Sequence, residues 1–176
     1  MPPTPIHFFS IAPLHFIKSG TFDITALLLS STCIDLELLF FILNGQPLYH
    51  GFSHSYFFAL TFFPVMISLV VFVAERKFPE ILKSTYKFFR FSPTELKYSF
   101  KSIFLSSLIG GVSHIFFDMW THRVSSYLFY PFVVFSSENP FWIGEYEVLI
   151  YVIVAFLSIC SIYFWIKRMR THKHTR

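Results

Sequence analysis

Residues 101–122 read Lys-Ser-Ile-Phe-Leu-Ser-Ser-Leu-Ile-Gly-Gly-Val-Ser-His-Ile-Phe-Phe-Asp-Met-Trp-Thr-His. As a helix, the stretch to Trp120 is long enough to cross the hydrocarbon layer of a bilayer, which takes about 20 residues. It nevertheless carries Ser106, Ser107, Gly110, Gly111, Ser113, His114 and Asp118, and taken alone it would suit the core of a soluble protein. The rest of the chain decides otherwise. Of 176 residues, 54% are hydrophobic, 22% aromatic and only 14% charged, far from the soluble average. In that company, small residues at this spacing suit helices packed closely inside a bilayer. The expected fold is an all-α integral membrane protein.

Three further windows are apolar over similar lengths, so four transmembrane helices are expected, at about 22–43, 56–74, 101–120 and 146–166. One membrane domain then covers 1–176, with a loop over 75–100 and a basic tail over 167–176. The N-terminal apolar run, Ile6 to Ile17, is too short for a span and has no basic region before it, unlike a cleavable signal. A short re-entrant helix over 5–18 is expected there, turned back by Lys18-Ser19-Gly20 so that His7 faces the outer part of the first span.

Charge sets the orientation. Thirteen of the fourteen Lys and Arg residues fall before the first span, in the 75–101 region or after the fourth span. Arg123 stands alone on the other side. The positive-inside rule places the 75–100 loop and the C-terminus in the cytoplasm. Anionic lipid accounts for the basic balance, and no nucleic-acid partner is needed. Within the loop, Phe78, Ile81, Leu82, Tyr86 and Phe89 recur near helical spacing while Lys83, Lys87 and Arg90 occupy other positions, the pattern of an interfacial amphipathic helix. Ser92-Pro93-Thr94-Glu95 reads as a capping box that starts the third span.

Against this apolar background stand Asp35, Glu37, His50, His54, His114, Asp118 and His122, side chains that bind hard or borderline metals such as zinc. Polar clusters inside membranes mark functional sites. From the helical rise, Asp35 and Glu37 lie about 12 and 9 Å below the outer end of the first span, and His114 lies about 9 Å below that of the third. The remainder lie nearer the outer surface, and no candidate falls in the cytoplasmic half. His114, Asp118 and His122 succeed each other at four-residue steps and form one helical stripe. His50 and His54 share that offset, although Gly51 and Ser53 leave open whether His50 sits on a helix or in a loop. Asp35 and Glu37 diverge by about 200° on an ideal helix, so either the backbone is irregular there or one carboxylate orients a metal-bound His.

A lone membrane His usually serves helix packing. Charged groups, however, cost about 2.5 to 3.5 kcal/mol each near a bilayer centre, and three carboxylates need compensation that a divalent cation supplies. His15 points the other way in the short helix and reads as structural, while His172 and His174 belong to the tail. Cys33 and Cys160 are single residues within spans, small core hydrophobes with no disulfide framework.

The ordered set Thr4-Pro5-Ile6-His7, Asp35-Leu36-Glu37, His50-Gly51-Phe52-Ser53-His54-Ser55, and His114 with Asp118 and Thr121 resembles the prokaryotic inner-membrane metal-dependent hydrolase family. That family shows an early His, an Asp-x-Asp, an His-x-Gly-x-Thr-His-Ser and an His-x-x-x-Asp-x-x-Thr. The similarity runs from residue 4 to about residue 132, where Tyr130-Pro131-Phe132 resembles the family's apolar Pro-Phe segment. Glu37 replaces the second Asp, Gly51 directly follows the first His of the pair, and His122 stands where many members carry Pro. A looser likeness is to secreted zinc phospholipase C enzymes.

The resemblance implies a multi-pass protein of a prokaryotic inner membrane, with one or more zinc ions held by His7, Asp35, His50 or His54, His114 and Asp118. Glu37 and His122 complete the candidate ligands. It implies metal-assisted hydrolysis, in which zinc lowers the pKa of a water toward about 7 and Glu37 or a non-ligating aspartate takes the proton, with Glu37 and Asp118 the catalytic candidates. The expected partners are membrane lipids and an amphiphilic small-molecule substrate, such as a lipid-like phosphoester at the outer leaflet. Two rivals stand beside this reading. An ion or metal transporter would need polar stations in both halves of the membrane, whereas the inner halves read as mostly Ser and Thr without an inverted repeat. A noncatalytic scaffold would use the cluster for a structural metal with a closed coordination sphere.

Overall fold

The computed structural model describes residues 11–15, 21–45, 51–88, 98–123, 127–134, 139–142 and 144–171. After a helical stretch at 11–15 come α1 (Ile24–Cys33), α2 (Leu36–Leu43), α3 (Tyr56–Leu60), α4 (Phe62–Lys77), α5 (Pro79–Phe88), α6 (Phe100–Thr121) and α7 (Gly144–Thr171). No strand occurs among the described residues.

The segment expected as the first span is two short helices. Asp23 opens α1 in an extended conformation, its Oδ1 accepting from the Ala26 N–H at 2.5 Å, which satisfies a donor that the first turn leaves over. At the other end Ser31 and Thr32 both donate to the Leu28 carbonyl, a local competition with the helical pattern. The helix stops at Cys33, and α2 begins at Leu36 with Asp35 as its N-cap. Among the described residues three helical segments are long and apolar enough to cross a membrane: Tyr56–Lys77, Phe100–Thr121 and Val148–Lys167. Ile24–Cys33 is a shorter apolar helix, so the expected count of four spans becomes three long helices and a broken one.

The second long segment is interrupted at Thr61, between α3 and α4. Pro64 lacks the N–H that would complete the helical bond to Leu60, which explains the irregular turn just before it. Helix α5 is the expected amphipathic helix, and part of its apolar face is turned onto the protein. Tyr86 is buried against Ala12 and Ile24, and its hydroxyl lies 2.5 Å from Thr25 Oγ1, while Phe78 and Ile81 stay exposed. The capping-box motif at Ser92–Glu95 lies outside the described residues. Helix α6 is capped by Ser99, whose Oγ accepts from the Ser102 N–H at 3.1 Å.

Helix α6 is the centre of the bundle, with α1 and α4 packed on it. Its small residues allow this. A Cβ on Gly110 would collide with the Leu27 carbonyl oxygen of α1, and one on Gly111 would crowd Ser30 and Ala59. Hydroxyls fill the seam: Ser30 Oγ donates to the Ser107 carbonyl at 2.5 Å, and Ser68 Oγ lies 3.3 Å from Ser107 Oγ. Ile34, Ala59, Phe63, Ile115, Met119 and Leu128 form the apolar core at one end, and Ala26, Ile67, Val71, Tyr98 and Ile103 form it nearer the other. Helix α7 touches α6 and leaves Val148, Val152, Phe156, Ile159 and Tyr163 exposed, a surface suited to lipid.

Candidate metal centre

The break between α1 and α2 decides which carboxylate reaches the centre. Because the chain turns at Ile34 and Asp35, the Asp35 carboxylate leaves the axis of α1 and its Oδ1 comes within 3.3 Å of His114 Nε2. Asp118 lies one turn further along α6, and its Oδ2 is 3.1 Å from His114 Nε2. From the loop before α3, His54 brings its Nε2 to 2.6 Å from the same oxygen. The His54 and His114 rings meet edge-on, centroids 5.1 Å apart. One donor atom each from Asp35, His54, His114 and Asp118 lies within 4.8 Å of the others.

Burial makes this arrangement costly without a cation. His54, His114 and Asp118 are at most 2% exposed, and Asp35 is half-buried. With neutral imidazoles, the two carboxylates place two negative charges in a medium that solvates them poorly. A divalent ion at the centre of the four donors would balance that charge. Two imidazole nitrogens with two carboxylate oxygens are a donor set suited to a borderline metal. The cluster can therefore hold a metal ion.

The loop carrying His54 is built to hold its shape. The His54 N–H donates to the Gly51 carbonyl at 3.1 Å, and the Gly51 N–H donates to Glu37 Oε2 at 3.1 Å. A Cβ on Gly51 would run into the Glu37 carboxylate and push it aside, so glycine lets this carboxylate approach the Gly51 N–H closely. Ser55 caps α3 by accepting from the Phe58 N–H, and the Tyr56 N–H ties the loop to the Leu128 carbonyl at 3.0 Å.

Four of the expected site residues, Asp35, His54, His114 and Asp118, are thus brought together. Glu37 lies apart from these four donors and holds Gly51. His122 sits at the edge: it ends α6, its Nδ1 is 3.0 Å from Thr121 Oγ1 and 3.5 Å from Asp118 Oδ1, and burial pushes its imidazole below the usual pKa. His7 and His50 lie outside the described residues, as do His172 and His174. His15 is buried away from the cluster, with Nδ1 2.8 Å from the Phe22 carbonyl. Cys33 and Cys160 are free thiols.

Some residues near the centre carry no sequence signal. Asn139 donates to the Met119 carbonyl at 2.7 Å and the His122 carbonyl at 3.0 Å, closing the end of α6 beside Asp118. Its partners are backbone carbonyls, which no spacing rule reveals. Asp23 and Glu75 are also buried, near the opposite end of the helices from the cluster, where the inner halves of the spans read as mostly Ser and Thr. Each stands at the edge of an apolar window, where a charge is easily assigned to solvent.

Fold and site define an all-helical protein with helices apolar enough to cross a membrane and a buried His and Asp cluster able to bind a metal ion. The chain belongs to the DUF4184 family, a domain of unknown function whose family model matches residues 1–176. No curated protein and no solved structure matches it.

Proposed function

We propose that this protein is a membrane-embedded, metal-dependent hydrolase of a prokaryotic inner membrane, with zinc as the metal and a lipid-like phosphoester or similar amphiphile as the substrate. The observation that carries the reading is the convergence of two imidazoles and two carboxylates, three of them buried and Asp35 half-buried, from the turn between α1 and α2, the loop before α3 and helix α6. The ordered motifs that resemble the metal-dependent hydrolases point the same way. Asp35, His54, His114 and Asp118 would hold the ion, which when bound would acidify a water toward about pH 7 and polarise the scissile bond.

The chain's own residues then divide the work. Glu37 and Gly51 orient the loop that presents His54. Asp118 turns Oδ2 toward His54 and His114 and leaves Oδ1 facing His122, so this second oxygen accepts the proton and shares it with the imidazole. The charge asymmetry supports a cytoplasmic C-terminus and a site near the outer leaflet, where an amphiphile could reach it from lipid.

Metal analysis of the detergent-purified protein should find zinc, and His54→Ala and Asp118→Ala should each remove it and abolish hydrolysis of a short-chain phospholipid. Purified protein that never holds metal, with activity indifferent to both substitutions, overturns the reading. Metal transport is the second reading, and buried Asp23 and Glu75 favour it because they supply a polar station at the other end of the bundle. Metal uptake into proteoliposomes, without hydrolysis, would select it.

A further inference from the structure

Away from the metal cluster, α1 and α4 each bury a carboxyl group at the same place. Asp23 is fully buried and Glu75 is 1% exposed. Each has one oxygen satisfied by the backbone: Asp23 Oδ1 accepts from the Ala26 N–H, and Glu75 Oε2 accepts from the Tyr98 N–H at 3.1 Å. Among the described residues Asp23 Oδ2 and Glu75 Oε1 receive no hydrogen bond from any N–H or hydroxyl group, and the two carboxyl groups lie near enough to act on each other. Two carboxylates offer only acceptors, so a bond between them needs a proton.

Among the described residues no cation is paired with either carboxyl group. Arg76, next in sequence to Glu75, turns outward, donating to the Phe72 carbonyl at 3.1 Å and lying over the Phe72 ring. The other titratable groups at this end are Tyr86 on α5, Tyr98 before α6, and His15, whose Nδ1 reaches the Phe22 carbonyl. Thr25 Oγ1 is committed to the Tyr86 hydroxyl, and Ser106 Oγ accepts from the Asp23 N–H at 2.9 Å. The described surroundings are thus phenols, hydroxyls and one imidazole, and the imidazole Nδ1 is engaged by a backbone carbonyl.

We propose that Asp23 and Glu75 form a proton-binding site, a carboxyl–carboxylate pair that holds one exchangeable proton and clasps α1 to α4. This site is separate from the metal centre. Ser106 and Asp118 are twelve residues apart on α6, about 18 Å at the helical rise. The inference does not rest on the metal reading and survives if the cluster binds no ion. Its consequence is a bundle that responds to pH at the end remote from the cluster. The folded pair retains a proton that separated carboxyl groups would release, so the folded state binds more protons than the unfolded one. Its stability then falls as pH rises and the shared proton is lost.

Infrared spectroscopy on the full chain in detergent tests this. A protonated-carboxyl band should be present at neutral pH, persist in chelator, and disappear in both Glu75→Gln and Asp23→Asn. Glu75→Gln is close to isosteric, and its amide can donate to Asp23 Oδ2 while its carbonyl still accepts from Tyr98. It stands in for the protonated acid, and its thermal midpoint should stay level as pH is raised above neutrality while that of the wild type falls. A wild type without the band, or a band unchanged in both variants, overturns the proposal. So does a wild-type midpoint that does not fall with rising pH, a readout that needs no variant to fold.

Discussion

Asp35 and Glu37 are separated by one residue and do different things. The turn at 34–35 aims Asp35 at His114, while Glu37, in the first turn of α2, reaches across to the Gly51 N–H. Glu37 therefore acts on the centre through the loop that carries His54. Removing the carboxylate in Glu37→Ala should weaken metal binding by about 10- to 100-fold, the usual cost of losing a group that orients a ligand. Glu37→Gln, whose carbonyl can still accept from Gly51, should keep near-native affinity in a competition assay with a fluorescent zinc chelator. Equal losses in the two variants would instead make the negative charge of Glu37 the important property. His122→Ala should retain the metal, because His122 lies outside the four donors, and should slow hydrolysis if Asp118 shares its proton with that ring.

At the scale of elements, the contact between α1 and α6 is the one most exposed to a small change. Gly110 faces the Leu27 carbonyl, a backbone atom that cannot rotate away, so Gly110→Ala forces the two helices apart. Overpacking of this kind costs about 1 to 3 kcal/mol, and the thermal midpoint in detergent should fall accordingly. The same displacement would carry Asp35 away from His114, so metal affinity should fall with stability. The end of α6 depends on Asn139 in another way. Asn139→Ala leaves the Met119 and His122 carbonyls buried without their donor, a loss of about 1 to 3 kcal/mol. Asn139→Asp lacks the donor as well and should be no better by the same thermal measurement.

For the whole molecule, the distribution of cations argues for one orientation. In the sequence, thirteen of fourteen Lys and Arg residues fall before the first apolar segment, in the 75–101 region or in the C-terminal tail. A reporter active only in the cytoplasm, fused to the C-terminus, should be active, and a cysteine placed at Phe52 should react with an impermeant thiol reagent added outside intact cells. The opposite pattern would put the metal cluster on the cytoplasmic side. Helix α7 bears on the same scale. Its exposed Val148, Val152, Phe156, Ile159 and Tyr163 need lipid or detergent around them, because such a surface in water would drive aggregation.

Composition alone determined the membrane class, since a chain this apolar and this poor in charge cannot solvate itself in water. Helical periodicity determined that His114 and Asp118 share a face, because a four-residue offset returns to the same side of any α-helix. Residue type determined which side chains can ligate a metal. The tertiary structure decided what no local rule contains. It broke the first apolar segment at residues 34–35, where hydroxyl groups compete for the helix's carbonyls, and so separated the roles of Asp35 and Glu37. It also buried Asp23 and Glu75 together at one end of the bundle and tied Asn139 to the end of α6, because partners distant along the chain meet only after the helices have packed.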